Sequence, residues 1–216
     1  MVVATIAEVR LAGIKAQLQQ EIDAGAVICL QEVSQNWAAQ LHTFLSQQGY
    51  YMITAHYGGK FNGYMGTALC FPTHAYSLVR SDINRAADAL EWAPLAEDSA
   101  SSVAAQTMQN IGTVERKHNV QLSVHLKHTQ HAAGDEFCVS TYHMPCAFRF
   151  PHVMTCHTAL AVHTAAVFAR QVGTDVPFVL AGDFNFDPKS ECYDLVTSGE
   201  SAAVPISCGR VHDVCV

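Results

Sequence analysis

Three short apolar runs in this 216-residue chain each close on a polar group, and that pattern constrains the fold more than any other feature. Val27-Ile28-Cys29-Leu30 leads into Gln31-Glu32. Phe137-Cys138-Val139 leads, through Ser140-Thr141-Tyr142, to His143. Pro177-Phe178-Val179-Leu180 leads to Asp183 and Asn185. An apolar run of roughly four to six residues that ends in a turn signal reads as a buried strand. Charged and strongly polar groups seldom sit at such ends without a use. Glu, His and Asp-x-Asn at three strand ends therefore point to one shared site at the rim of a sheet system.

The rest of the chain interleaves helices with strands. Residues 10–24 read as an amphipathic helix, with Leu11, Ile14, Leu18 and Ile22 on one stripe and Gly25 as its stop. Ser34 reads as the N-cap of a helix reaching Gln48, with Trp37, Leu41, Phe44 and Leu45 inward. Tyr50–Thr54 and Thr67–Phe71 read as strands, separated by the turn-rich GGKFNGYMG. Residues 93–112 lack periodicity and read as a surface excursion. Val120–Leu126 and Glu136–Tyr142 read as strands joined by 128–134. Pro151 opens a long helix to about Val172, and a strand over 178–182 follows. No internal repeat is visible. Periodicity alone says α/β or α+β, in one domain spanning 1–216.

In order, the motifs are a helix opening at Arg10, LQEV at 30–33, a Gly-containing strand, an internal strand, T-x-H at 141–143, a long helix and GDFN-x-x-P at 182–188. This set resembles the endonuclease/exonuclease/phosphatase superfamily of metal-dependent phosphohydrolases, from about Arg10 to Asp213. The resemblance implies a DNase I-like, four-layer α/β/β/α sandwich of two packed mixed sheets, with the site at the strand ends. It also implies a divalent-metal-dependent phosphoester hydrolase, a phosphodiesterase, nuclease or phosphatase, using Mg²⁺ or Mn²⁺ and in-line attack by water. RNA or DNA is among the substrates it allows, with a lean toward the RNA deadenylase-like and related branches, and inositol-phosphate and lipid phosphodiester substrates stay open.

The resemblance assigns the metal to Glu32, with Gln31 in support. Magnesium takes carboxylate oxygens and keeps several waters, so one or two protein carboxylates suffice. The bland alternative makes Glu32 a helix-entry carboxylate beside the 34–48 helix. Asp183 and Asn185 are two residues apart, so on extended backbone both point to one face. The resemblance gives Asp183 the task of orienting or deprotonating water, and Asn185 that of donating to a phosphoryl oxygen. The competing reading is an Asx turn, since Gly-Asp-Phe-Asn is good turn chemistry. His143 resembles the family histidine that contacts the scissile phosphate, although a lone strand-end histidine is often structural. Tyr142 points the other way, into the core. Asp187 and Pro188 read as turn residues, and Ser190 as a cap. Asn62 and Asn119 are candidates for substrate binding, each with a turn or strand-edge alternative.

Two parts of the family pattern are absent from this sequence: an asparagine on a first strand and an Asp-His pair on the last strands. His212-Asp213 has the reverse order. The expectation is a partial domain without those strands. Three accounts compete: an incomplete sequence, a catalytically degenerate relative serving as an interaction or structural module, or a protein partner covering the open sheet edges.

Composition narrows the setting. Half the residues are hydrophobic, ample for a core, yet no run of about eighteen apolar residues occurs, so no membrane span is expected. Glu8 and Arg10 break the short apolar start, and no signal peptide is expected. Eight cysteines occur without a C-x-x-C pair, which points to free thiols in a reducing, cytoplasmic setting. Cys208, His212 and Cys215 offer only three zinc ligands at irregular spacing, which reads as coincidence. A formal charge of −7 argues against salt-driven binding over a broad nucleic-acid surface, but not against a metal-assisted local site.

Overall fold

The computed structural model describes residues 5–89, 112–130 and 135–198. The elements run α1 (Ile6–Asp23), β1 (Ile28–Val33), α2 (Gln35–Gln47), β2 (Tyr50–His56), a 3-10 turn (Lys60–Asn62), β3 (Gly66–Pro72), β4 (Tyr76–Arg85), a second 3-10 turn (Ala86–Ala89), β5 (Val120–His128), β6 (Glu136–His143), α3 (Pro151–Val172), β7 (Phe178–Asp183) and α4 (Glu191–Ser198).

Local chemistry sets the boundaries. Helix α1 starts four residues before the expected Arg10 because Thr5 and Glu8 form a capping box. The Thr5 hydroxyl accepts from Glu8 N at 3.3 Å, and Thr5 N donates to the Glu8 carboxylate at 2.6 Å. Gly25, with φ 69°, ends the helix as expected. Ser34 caps α2 by accepting from Trp37 N at 3.3 Å, and Ser190 caps α4 by accepting from Tyr193 N at 3.3 Å.

The strands form two sheets, in the orders β1-β3-β2 and β4-β5-β6-β7. The first is wholly antiparallel, where two mixed sheets were expected. The crossover β1-α2-β2 leaves β1 and β2 parallel, and β3 inserts between them, so both pair with it in the opposite sense. The second sheet is mixed: the crossover through α3 sets β7 parallel to β6. Strand β4 has no counterpart in the sequence expectations. It is an exposed edge strand in which Leu78, Val79 and Ile83 mix with Arg80, Ser81, Asp82 and Asn84. Pairing with β5 along its length, not its own pattern, makes it a strand.

Three apolar layers stack between four structural ones. Leu11, Leu18, Leu41 and Leu45 of α1 and α2 cover the outer face of the first sheet. Leu69 and Phe71 of β3 meet Leu122, Val124, Leu126 and Val139 between the sheets. The buried face of α3, including Val153, Leu160, Ala161 and Phe168, covers the second sheet. The expected connection over 128–134 is described only to Gln130, and 93–112 only at Gly112. Cys208, His212, Asp213 and Cys215 lie outside the described residues. Among the described residues no helix is long and apolar enough to cross a membrane.

Candidate active site

Glu32 occupies a β-bulge. Leu30 pairs with Ala68 but Val33 pairs with Gly66, so β1 carries one residue more than β3 across the step. Glu32 absorbs the extra residue in the left-handed conformation, φ 57°. That conformation is uncommon for a side chain of this kind, and it turns the carboxylate out of the ladder into solvent. Among the described residues no hydrogen bond or ion pair engages that carboxylate, and Ser34 does the capping of α2. Gln31 does not reach Glu32. Its amide donates to Thr141 Oγ1 on β6 at 2.9 Å and ties the two sheets together at the rim.

On the second sheet the parallel pairing places His143 opposite Asp183. Gly182 makes this approach feasible. A Cβ at that position would overlap the carbonyl oxygen of Tyr142 and lie 2.9 Å from its carbon, and φ is 153°. Asp183 Oδ1 accepts from Asn185 N at 2.9 Å, and Oδ2 lies 4.0 Å from His143 Nε2. Asn185 has φ 52° and donates from Nδ2 to Met144 O at 2.9 Å. The extended geometry expected for this pair is therefore replaced by an Asx turn. The turn keeps both side chains at the same rim.

The His143 side chain is buried to all but 3%. Its Nδ1 lies 2.7 Å from the Tyr57 hydroxyl, with the rings edge-on. Asn119 donates from Nδ2 to His143 O at 2.8 Å, and its side chain also lowers the Tyr57 phenol against the effect of burial. Asn119 thus joins the site as a brace for the histidine. Asn62 lies on the turn that Gln35 N ties down by donating to Gly63 O at 3.0 Å. Its Oδ1 is buried, crowds the space above Gly58 that a side chain would fill, and has no hydrogen-bond partner among the described residues. Tyr142 is fully buried, and its hydroxyl meets His157 Nδ1 at 2.7 Å. Asp187 accepts from Lys189 N at 2.8 Å, a turn as expected.

Electrostatics place Glu32 and Asp183 around one spot. Burial pushes the Tyr57 phenol well up, and the charges of Glu32 and Asp183 add to the effect. Burial also raises the Cys146 thiol, again with help from Asp183 and Glu32, while a hydrogen bond from the Asn185 side chain opposes it. Two carboxylates from different sheets therefore act on the same two neighbours. Tyr57 and Cys146 were missed in the sequence. Tyr57 follows β2 directly and precedes Gly58-Gly59, the same strand-end signal that marks Glu32 and His143. Cys146 carried no signal beyond its nearness to His143. Among the described residues no three His, Cys, Asp or Glu side chains gather as a ready metal cage. The set suits instead a hard cation held by a carboxylate and retained waters.

The sequence profile of the Endonuclease/Exonuclease/phosphatase family matches residues 10–191. No curated protein matches by sequence. Among solved structures the fold is similar to ANGEL2, a 2′,3′-cyclic phosphatase, with a TM-score of 0.63 and 22% identity over 85% of this chain. It is also similar to the human Nocturnin catalytic domain with bound sulfate, TM-score 0.64 and 20% identity over 87% of this chain. A mannosyl-6-phosphatase from Bacteroides thetaiotaomicron gives TM-score 0.60 and 19% identity over 88%. The chain spans 46%, 62% and 61% of those three chains. With its motifs gathered at one rim and most of its length matched, the chain belongs to the Endonuclease/Exonuclease/phosphatase family.

Proposed function

We propose that this chain is a divalent-metal-dependent phosphoester hydrolase acting by in-line attack of water. One observation carries the reading: Glu32 and Asp183, from different sheets, bear on the same two neighbours beside a buried, braced His143. Glu32 would hold Mg²⁺ or Mn²⁺, since its carboxylate is solvent-facing, unengaged and aimed by a strained bulge. Such an ion, when bound, supplies Lewis-acid polarisation of a phosphoryl oxygen. Asp183 keeps one carboxylate oxygen in the Asx turn and leaves the other to orient water or take its proton. Asn185 spends one N–H on Met144 O. The other is left for a phosphoryl oxygen, near the Cys146 thiol whose pKa the Asn185 side chain lowers.

The substrate class we assign is an RNA or DNA phosphoester. Phe61 and Tyr64 are exposed on the turn beside Asn62, and Phe148 and Phe150 on the segment after Cys146, with Lys60 and Arg149 among them. Exposed aromatic faces next to cations suit stacked bases and their phosphates. Among the described residues, cysteines such as Cys29, Cys70 and Cys138 form no disulfide, which supports a reducing, cytoplasmic setting.

A second reading, an interaction module of the same fold, draws on β7. This edge strand exposes Phe178 and Val179, as a surface awaiting another strand would. One experiment separates the two. A model phosphodiester, oligo(A) RNA, single- and double-stranded DNA and an inositol phosphate are each offered with Mg²⁺, Mn²⁺ or EDTA. The hydrolase reading expects metal-dependent turnover that falls at least about 10²-fold in Glu32→Gln and in Asp183→Asn. Turnover retained in both variants, or absent from the folded chain, sinks it, and absence favours the module.

A further inference from the structure

We propose that Tyr57 is a positioning residue that fixes neutral His143 as its Nε2–H tautomer, so that His143 meets a phosphoryl oxygen as a hydrogen-bond donor and not as a base. The catalytic consequence rests on the hydrolase reading above; the tautomer does not.

Two contacts set the direction of the hydrogens. Asn119 faces the His143 carbonyl oxygen at 2.8 Å, and only an amide nitrogen can donate there. The orientation of that amide is thereby set, with its NH₂ end toward His143 and Tyr57. Asn119 also lowers the Tyr57 phenol against the effect of burial, as a nearby donor does. A phenol has one hydrogen, and among the described residues the hydroxyl has one hydrogen-bond partner, His143 Nδ1 at 2.7 Å, so the hydrogen goes there. Were Nδ1 protonated instead, Tyr57 would accept from it, and its own hydrogen would be left without a protein acceptor in a half-buried position, an arrangement that costs about 1–3 kcal/mol. Burial and the neighbouring carboxylates keep the phenol protonated, so the donor is always present.

With Nδ1 occupied as an acceptor, the ring hydrogen resides on Nε2. That atom lies 4.0 Å from Asp183 Oδ2, too far for a direct hydrogen bond, and an oxygen beside the line joining the two can reach both. A donor so placed stabilises charge developing on phosphoryl oxygen, and proton abstraction falls to Asp183. The device needs a tyrosine after β2, an asparagine before β5 and a histidine ending β6, which the two packed sheets bring together.

Nuclear magnetic resonance on protein with ¹⁵N-labelled histidine tests this, with the His143 signals identified by their loss in His143→Gln. Long-range proton–nitrogen correlations should show Nδ1 unprotonated and Nε2 protonated at neutral pH. In Tyr57→Phe, which keeps the ring, the signals should move toward a tautomer mixture. The kcat should fall about ten-fold with KM unchanged, as for loss of an outer hydrogen bond to a catalytic group. Two results overturn the proposal: Nδ1–H in the wild type, or an unchanged Nε2–H tautomer in Tyr57→Phe. The wild-type spectrum decides the first even if the variant folds poorly. A folded chain without turnover refutes the hydrolase reading alone, and the spectra still decide the role of Tyr57.

Discussion

Replacing Glu32 by glycine should stabilise the protein while destroying its site. The Glu32 side chain is exposed, and no hydrogen bond is lost with it, so the stability change comes from the backbone. Holding a residue with a Cβ at φ 57° costs about 1–2 kcal/mol, and glycine pays none of it. Glycine brings an opposing entropy loss on folding of about 0.5–1 kcal/mol. The net lies within about 0–1.5 kcal/mol, with a central gain of about 0.75 kcal/mol over Glu32→Gln, which keeps both the Cβ and the strain. With a urea dependence of about 2 kcal/mol per molar, the denaturation midpoint of Glu32→Gly should lie about 0.3–0.5 M above that of Glu32→Gln. Leu30→Gly, two residues earlier on ordinary strand backbone, serves as the control and should lose stability. Both Glu32 variants should lack metal-dependent turnover. If Glu32→Gly proves less stable than Glu32→Gln by the usual glycine penalty, the bulge is not strained and the argument for a preset carboxylate fails.

Gly182→Ala should displace the end of β7, because the new Cβ overlaps the Tyr142 carbonyl. A shift of about 1 Å at Asp183 should lower kcat/KM about 10²-fold, and the strain should remove about 1–3 kcal/mol of stability; unchanged kinetics and unfolding would mean that the β6–β7 approach does not set the site. Acid should destabilise the fold through His157, which is buried between the Tyr142 hydroxyl and Val114 O. Burial lowers its pKa from 6.5 to about 4, so the unfolded chain takes up the proton first. Stability from this group is complete above pH 6.5 and is lost as the pH falls through 4, by about 3 kcal/mol in all. Unfolding free energies measured from pH 7 to 4 should fall more steeply for wild type than for His157→Asn, and equal slopes would refute the assignment.

The elements that bury their own apolar residues were legible in the sequence, and those that depend on neighbours were not. Helix α3 was readable to both ends, from Pro151 at its start and from the spacing of Val153, Leu160 and Thr164. Strand β4 was invisible, because an edge strand facing solvent has no apolar period, and its partner β5 is far away in sequence. At the site the strand-end rule located Glu32, His143 and Asp183, which the structure brings to one rim. The same rule applied to β2 would have reached Tyr57. The expectation that Asp183 and Asn185 share a face assumed extended backbone. The competing Asx-turn reading is the one that forms: Asn185 N donates locally to Asp183 Oδ1, and the anchor of its side chain on Met144 O comes from the segment after β6, far away in sequence. Asn119 read as a substrate-binding candidate or a strand-edge residue, and its bracing of His143 was hidden because its partner, the His143 carbonyl, belongs to another strand.

Strain and packing are distributed unequally across this fold, in a way that favours chemistry. Among the described residues only Glu32, Tyr64 and Asn185 adopt positive φ without being glycine. Two of them carry proposed site side chains, one from each sheet, and the third is on the turn beside Asn62. Left-handed residues relax to extended or helical backbone unless their surroundings hold them. Here the holding is done a few residues back along each strand. Leu69 and Phe71 of β3, beside β1, pack against Leu122, Val124 and Val139, and the Gln31–Thr141 bond pins the sheets where that packing ends. The core between the sheets thus fixes the strands, and the strain falls beside their ends, at Glu32 one residue before the end of β1 and at Asn185 two residues past β7. A carboxylate held this way is already aimed before a cation or phosphate arrives, and less binding energy goes into ordering it.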